Sequence, residues 1–146
     1  MNNLENSIMP VLEAYKAAVF NKDVDAFMRL YDQEVRVFDA WGVWSYQGST
    51  AWRGMIEEWF ASLGSKGVKV AMEEVQITGG QELAVLSAIT TYAGVSAAGE
   101  DLQAMQNRLT WVLKPEGSAW KIVHEHTSAP IDFKDSKAIL QRQKTS

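Results

Sequence analysis

The fold of this chain is decided near its end, by the stretch WKIVHEHTSAP at residues 120–130. The stretch reads as a β-strand, and the proline at its end cannot continue a sheet ladder. Successive side chains of a strand point to opposite faces. The stretch therefore predicts one face that carries His124 and His126, and an opposite face that carries Glu125 and Thr127.

The composition indicates one globular domain. A chain of 146 residues can bury roughly 70 % of the surface that it exposes when unfolded. It contains no cysteine, which excludes thiolate metal sites and nucleophilic thiols. The net charge of −4, with scattered basic residues, argues against nucleic acid as a partner. No membrane-length apolar run and no leader are visible, so we expect a cytoplasmic protein with no membrane partner. We also expect no cofactor.

Three helices are predicted in the first half of the chain. Apolar residues recur at helical spacing over about 6–20. Asp23 can cap a short second helix that runs to about Tyr31. The clearest helical stripe covers about 49–63 and stops at Gly64.

Five strands complete the predicted fold. The first covers about 34–40 and leads into an aromatic loop that starts at Trp41. Four long strands joined mainly by hairpin turns follow, over about 68–78, 82–94, 102–114 and 119–128. The apolar phase switches near Glu73-Glu74, which predicts a bulge that curves the sheet. The polar residues after 131 are predicted to form either a frayed helix or a disordered segment.

This order of elements resembles the nuclear transport factor 2-like superfamily. The closing pattern W-x-I-V-H-x-H-x-S resembles that of SnoaL-like proteins and of the calmodulin-dependent kinase II association domain. The resemblance implies an α+β, cystatin-like roll, in which a cone-shaped, curved antiparallel sheet wraps around three N-terminal helices and an apolar pocket. It implies one domain over residues 1–133 and a polar tail over 134–146. It does not fix an activity, because this scaffold hosts both enzymes and non-enzymatic binders.

The first half of the chain also resembles ketosteroid isomerase. The resemblance lies in AYKAA around Tyr15 and VFDAWG around Asp39. In that family the matching tyrosine donates to the developing enolate oxygen and the matching aspartate is the base, so Tyr15 and Asp39 are the implied catalytic residues. The family's additional acid is replaced here by the region 107–110, where Arg108 could bind a carboxylate or enolate.

The kinase association domain also implies which strand faces line the pocket. Its residue matching Thr127 points inward, so Val123, Glu125 and Thr127 are expected inside and the two histidines outside. Alternate residues of the third predicted strand (82–94) and the fourth (102–114) are then expected to line the pocket. The implied ligand-binding residues are Trp41, Trp59, Tyr92, Arg108, Thr110, Glu125 and Thr127.

The outer face of the sheet is predicted to be broadly apolar. Leu109, Trp111 and Leu113 are expected there, near Ile122. Such a surface predicts a homodimer with Trp111, His124 and His126 at the interface. The two histidines have no third ligand at a recognisable spacing, so no metal site is predicted.

Three functions remain open from the sequence. The first is an isomerase, cyclase or lyase that removes a proton next to a carbonyl of a small apolar substrate, with Arg108 available for an anionic group. The second is a non-catalytic binder of a small anionic molecule, and the third is an oligomerisation module. Structural readings also remain open: Arg108 and Glu125 could form a buried ion pair, and Tyr15 and Asp39 could serve only the core and the aromatic loop.

Overall fold

The computed structural model describes residues 3–142 and has an α+β architecture. The elements, in chain order, are α1 (Asn3–Phe20), α2 (Val24–Met28), β1 (Tyr31–Phe38), β2 (Tyr46–Gln47), α3 (Ser49–Ser62), β3 (Gly67–Gly79), β4 (Ala84–Val95), β5 (Asp101–Glu116) and β6 (Ala119–Ser128). The predicted helices and long strands are confirmed. The second helix ends earlier than predicted, and the first strand already begins at Tyr31.

The six strands form one curved, open sheet in the order β2-β1-β6-β5-β4-β3. The pairs among β3, β4, β5 and β6 are antiparallel, as predicted. The pair β1 and β6 is parallel, which is the exception in a described sheet whose other pairs are antiparallel. A parallel pair requires a long crossover, and here the chain between β1 and β6 contains α3 and the whole meander.

The hydrophobic core lies between the helices and one face of the sheet. Phe27 of α2 is fully buried. Its ring lies 5.2 Å from Tyr15 of α1, 5.1 Å from Tyr31 of β1 and 5.9 Å from Phe60 of α3. Aromatic rings at these distances contribute packing energy beyond the area that they bury. This cluster therefore holds all three helices against the sheet.

The bulge predicted in β3 is confirmed. The pairing register with β4 shifts between Glu73 and Gln76, and Glu74 adopts a φ of 53°. A bulge of this kind bends its strand and increases the local twist. It therefore contributes to the curvature of the sheet at its β3 edge.

A second bulge, in β6, was not predicted. Leu113 pairs with Ile122, whereas Val112 pairs with His124. Val123 is thus an extra residue, and Ile122 turns inward and is fully buried. The expected outward position of Ile122 and pocket position of Val123 are wrong, because strict alternation fails at a bulge.

The facing of β5 is the opposite of the prediction. Trp111 lies directly across from Glu125, and Leu109 across from Thr127, so these residues share the inner face. Trp111 is fully buried. Arg108 is exposed on the outer face, and Thr110, two residues further along β5, faces the same side. The placements of Arg108 and Thr110 in the pocket, and of Trp111 on the outer face, are wrong. Burying large apolar side chains is favourable, whereas the predicted facing would bury a guanidinium.

The facing predicted for β4 is confirmed. Ala84, Leu86, Ala88 and Thr90 are buried on the inner face, and Tyr92 continues this series. On the opposite face, Val85 is exposed. The outer sheet surface therefore keeps some apolar residues from β4 but loses those predicted from β5.

The tail is ordered over its described residues, up to Arg142. The amide of Gln106 donates to the carbonyl of Leu140 at 2.6 Å, and Arg142 binds Glu73 and Glu74 on β3. The tail thereby covers the edge of β5 that extends beyond the end of β6. It is neither the helix nor the disordered segment that was predicted; residues 1–2 of the predicted domain and 143–146 of the predicted tail lie outside the described residues.

None of the helices in residues 3–142 combines the length and the apolar composition needed to cross a bilayer.

Candidate functional site

A cavity of about 590 Å³ lies between the helices and the inner face of the sheet. This volume falls within the range of roughly 300–1,000 Å³ that is usual for small-molecule sites. Its apolar wall includes Phe27, Trp41, Trp52, Ile56, Trp59 and Met105. Its polar groups are Tyr15, Asp39, Glu58, Tyr92, Asn107, Glu125 and Thr127, together with Gln103.

Asp39 follows the last residue of β1, and a hydrogen bond holds its side chain by one of the two carboxylate oxygens. Thr127 donates from Oγ1 to Asp39 Oδ1 at 3.0 Å, and the amide of Ala40 donates to the same threonine oxygen at 2.8 Å. Asp39 Oδ2 is buried and has no hydrogen-bond partner among the described residues. Burial raises the pKa of Asp39, although the Thr127 hydroxyl and the nearby amides of Trp41 and Ala40 oppose the rise.

Tyr15 of α1 and Tyr92 of β4 form a hydroxyl pair. Their Oη atoms are 2.9 Å apart. Burial is the main cause that raises the pKa of each tyrosine above its ordinary value, and the charge of Glu125 adds to the rise. Both phenols are therefore neutral at physiological pH. Because one proton suffices for the bond between them, the pair retains a second proton to donate to a ligand.

Glu125 is the most deeply buried acid of the cavity, with 2 % of its surface exposed. Tyr31 Oη donates to its Oε1 at 2.5 Å, and Trp111 Nε1 donates to the same oxygen at 2.9 Å. Burial raises the pKa of Glu125 to about 7, although these two donors oppose the rise; the charge of Asp39 adds to it. Glu125 is thus a shared acceptor that joins β1, β5 and β6.

Several residues of this site were not predicted from the sequence. Tyr31 was assigned to a helix end and Trp111 to the outer face, yet both bind Glu125. Asn107 is 6 % exposed, lines the cavity and has no partner for its Oδ1 within residues 3–142. The alternation of Leu109, Trp111 and Leu113 with the polar Arg108 and Thr110 is the sequence signal that could have revealed the facing of β5, since large apolar side chains favour the buried face.

The remaining sequence-predicted residues divide between the two faces of the sheet. Trp41 lines the cavity and is 51 % exposed, so it lies at the mouth. The ring of Trp59 is 6.1 Å from that of Tyr92. Arg108 instead donates from Nε to Ser128 Oγ at 3.1 Å on the outer face. The alternative of a buried Arg108–Glu125 pair is therefore wrong.

The two histidines lie on the outer face, as predicted. Their rings lie 5.1 Å (His124) and 5.5 Å (His126) from the ring of Phe38, and His124 Nδ1 is 2.7 Å from the carbonyl of Arg36. In the described part of the chain, no three His, Asp or Glu side chains are grouped so that they could hold a metal ion.

Residues 8–132 match the SnoaL-like domain family. The chain belongs to this family. The match begins within α1 and covers the other helices and the whole sheet, which confirms the resemblance drawn from the closing strand. A comparison with curated proteins found no match.

Solved structures show the same fold as this SnoaL-like protein. A nuclear transport factor 2-like protein of unknown function from Pseudomonas putida KT2440 is 21 % identical, with a TM-score of 0.84 over 97 % of this chain and 96 % of that one. A provisionally assigned calcium/calmodulin-dependent protein kinase II association domain from Xanthomonas campestris is 16 % identical, with a TM-score of 0.72 over 84 % and 85 %. A cystatin-like protein of unknown function from Nostoc punctiforme is 11 % identical, with a TM-score of 0.68 over 88 % and 92 %. At these identities the likeness establishes the fold alone.

Proposed function

We propose that this SnoaL-like protein is an isomerase, cyclase or lyase that removes a proton next to a carbonyl group of a small apolar substrate. The observation that carries the proposal is the buried, unpartnered Oδ2 of Asp39 in the same cavity as the hydroxyl pair of Tyr15 and Tyr92. A base and an oxyanion donor are the two groups that such a reaction requires.

Asp39 is the proposed base. Its partial burial disfavours the charged carboxylate, which raises the pKa and makes the carboxylate a better proton acceptor than an exposed aspartate. The Thr127 hydroxyl holds Oδ1, which leaves Oδ2 to take the proton from the substrate carbon. The carboxylic acid that results can return the proton to another carbon or to a leaving group.

Tyr15 and Tyr92 are the proposed donors to the developing oxyanion. The pair retains one hydroxyl proton beyond the bond that joins the two oxygens. A preorganised donor in a site shielded from water stabilises an oxyanion more than water does. The aromatic walls around the pair provide that shielding.

The expectation of an anionic substrate is withdrawn. It depended on Arg108, which lies on the outer face. The cavity wall instead carries the carboxyl groups of Asp39, Glu58 and Glu125, which repel an anion.

The test is the conversion of neutral β,γ-unsaturated cyclic ketones, beginning with 3-cyclohexen-1-one and its bicyclic homologues, to their conjugated isomers. Conversion is followed by ultraviolet absorbance, and exchange of the proton next to the carbonyl is followed by NMR in D₂O. Asp39→Asn should lower either rate about a hundredfold or more, while Asp101→Asn, at an exposed aspartate of β5, should leave it unchanged. Equal rates in wild type and Asp39→Asn would refute the assignment of the base.

A non-catalytic binder is the second candidate, favoured by the largely apolar wall of the cavity. A ligand that binds only the native state raises the melting temperature. Binding of a ketone in wild type and in Asp39→Asn, with no exchange in either, would favour this candidate over the enzyme.

The homodimer through the outer sheet face also remains a proposal. With Trp111 turned inward, its interface would consist of His124 and His126 together with apolar residues of β4 such as Val85. Light scattering after size exclusion measures the mass. A His126→Glu variant should lower that mass if the face is an interface; an unchanged dimer would place the contact elsewhere, and a large ring would favour the oligomerisation module.

A further inference from the structure

The charged side chains described in the cavity wall are all acidic. Glu125 is buried, Asp39 is partly buried and Glu58 is exposed, so carboxyl groups line the cavity from its interior to its surface. Within residues 3–142, no Lys, Arg or His contributes to this wall. Arg53, on the same helix as Glu58, binds Asp25 and Glu57 instead. Buried charges in proteins are normally paired with an opposite charge, and the described residues of this wall supply none.

Within residues 3–142, two buried acceptor atoms of the cavity have no donor: Oδ2 of Asp39, and Oδ1 of Asn107, a residue with only 6 % of its surface exposed. One buried donor of the same cavity, Nε1 of Trp52, has no acceptor there either. A buried acceptor without a partner is costly. A ligand that completes this site therefore has to bring hydrogen-bond donors.

Besides positive charge and hydrogen-bond donors, the aromatic side chains of the cavity favour a third property of the ligand. Trp41, Trp59 and Tyr92 line the same cavity. The faces of such rings attract cations. A protonated amine on an apolar body provides positive charge, several N–H donors and a partner for aromatic faces. A neutral alcohol provides only a donor, and a carboxylate provides none of the three.

We infer that the cavity binds an apolar organic cation, a protonated amine whose ammonium group lies among Asp39, Asn107 and the other carboxyl groups. The inference does not depend on the proposed function. An ammonium group that binds Oδ2 of Asp39 occupies the oxygen that the reaction would use as its base, so amine binding and proton abstraction are alternative uses of the same group.

The binding test compares three probes of similar size: 2-phenylethylamine, 2-phenylethanol and phenylacetate. Calorimetric titration near neutral pH, where the amine is protonated, should give an affinity for the amine that is about tenfold or more above that for the alcohol, since hydrogen bonds to charged groups are the stronger ones. Phenylacetate should not bind. Failure of the amine to bind, or equal binding of the alcohol or the carboxylate, overturns the inference.

Two neighbouring glutamates provide a matched pair of variants. Glu58 lines the cavity, whereas Glu57 on the same helix binds Arg53. Both are exposed, so neither change should impair folding. Glu58→Gln should weaken amine binding several-fold with no effect on the alcohol, and Glu57→Gln should change neither. Asp39→Asn should weaken amine binding about tenfold. Equal effects of the two glutamate variants, or an unchanged amine affinity in Asp39→Asn, contradict the inference.

The results also separate this inference from the proposed reaction. Amine binding that depends on Asp39, without any exchange of protons next to a carbonyl, supports the ligand class and refutes the base. Turnover of neutral ketones that depends on Asp39, without amine binding, supports Asp39 as the base and refutes the inferred ligand class.

Discussion

Replacing Glu125 with glutamine should remove most of the pH dependence of unfolding between about pH 5 and pH 8. The change is close in shape to the native side chain. The amide oxygen of glutamine can still accept the hydrogen bonds that Tyr31 and Trp111 donate to Oε1. The variant should therefore fold, and differ from wild type chiefly in having no proton to lose.

The magnitude follows from the raised pKa of Glu125. The pKa is about 7 in the native protein, against an ordinary value of 4.5. Between these values the native state holds a proton that the unfolded state has released, so the free energy of unfolding falls as the pH rises. At about 1.4 kcal/mol per pKa unit, wild type should lose about 3 kcal/mol across this range. The loss is complete above the native pKa.

Urea unfolding at about pH 5, 6, 7 and 8 measures this loss. The Glu125→Gln curve should be nearly flat, and the variant should be more stable than wild type at the upper end of the range. Glu82→Gln, at an exposed glutamate between β3 and β4, should keep the wild-type slope. The reasoning is refuted if Glu125→Gln keeps that slope, or if Glu82→Gln flattens it equally.

Three further changes test the packing and the site. Phe27→Ala should destabilise the protein by about 3–5 kcal/mol because the ring is fully buried, while Phe133→Ala, at a fully exposed ring, should cost under about 0.5 kcal/mol in the same urea assay. Thr127→Val removes the donor to Asp39 Oδ1, so carboxyl NMR titration should show a further rise of the Asp39 pKa; an unchanged pKa would contradict the described contact. Arg142→Ala breaks exposed ion pairs to Glu73 and Glu74 and should cost about 1 kcal/mol or less in urea; a larger loss would show that the tail contributes more than its charges.

The sequence predicts the fold well because most of its signals are local. The stripe of α3 and the hairpin turns arise from neighbouring residues, and the phase switch at Glu73-Glu74 locates the β3 bulge directly. The bulge at Val123 leaves no such signal. Ile122 and His124 look like members of one alternating series, and only the pairing with β5 shows that they face opposite sides.

The candidate site was predicted only in part. Asp39, Tyr15 and Thr127 were placed by resemblance, and the structure brings them to one cavity. Arg108 and Trp111 were placed by the facing that the resemblance implied for β5, although the alternation of Leu109, Trp111 and Leu113 with the polar Arg108 and Thr110 favours the facing that the structure shows. The register that pairs Trp111 with Glu125 shows this facing directly.

The two inward carboxyl groups of Asp39 and Glu125 are suited to different tasks because their hydrogen bonds differ. Glu125 receives two donors on one oxygen and sits between Tyr31 and Trp111, so any movement of its carboxyl group breaks contacts with two other strands. Asp39 receives a side-chain donor only on Oδ1, from a hydroxyl that can rotate, and its second oxygen has no partner in the described chain. In the proposed reaction, the base must gain and lose a proton, which requires a free oxygen and a support that adjusts to both charge states. Asp39 meets both conditions, whereas Glu125 is better suited to fix the floor of the cavity and, by its charge above neutral pH, to raise the pKa of the tyrosine pair.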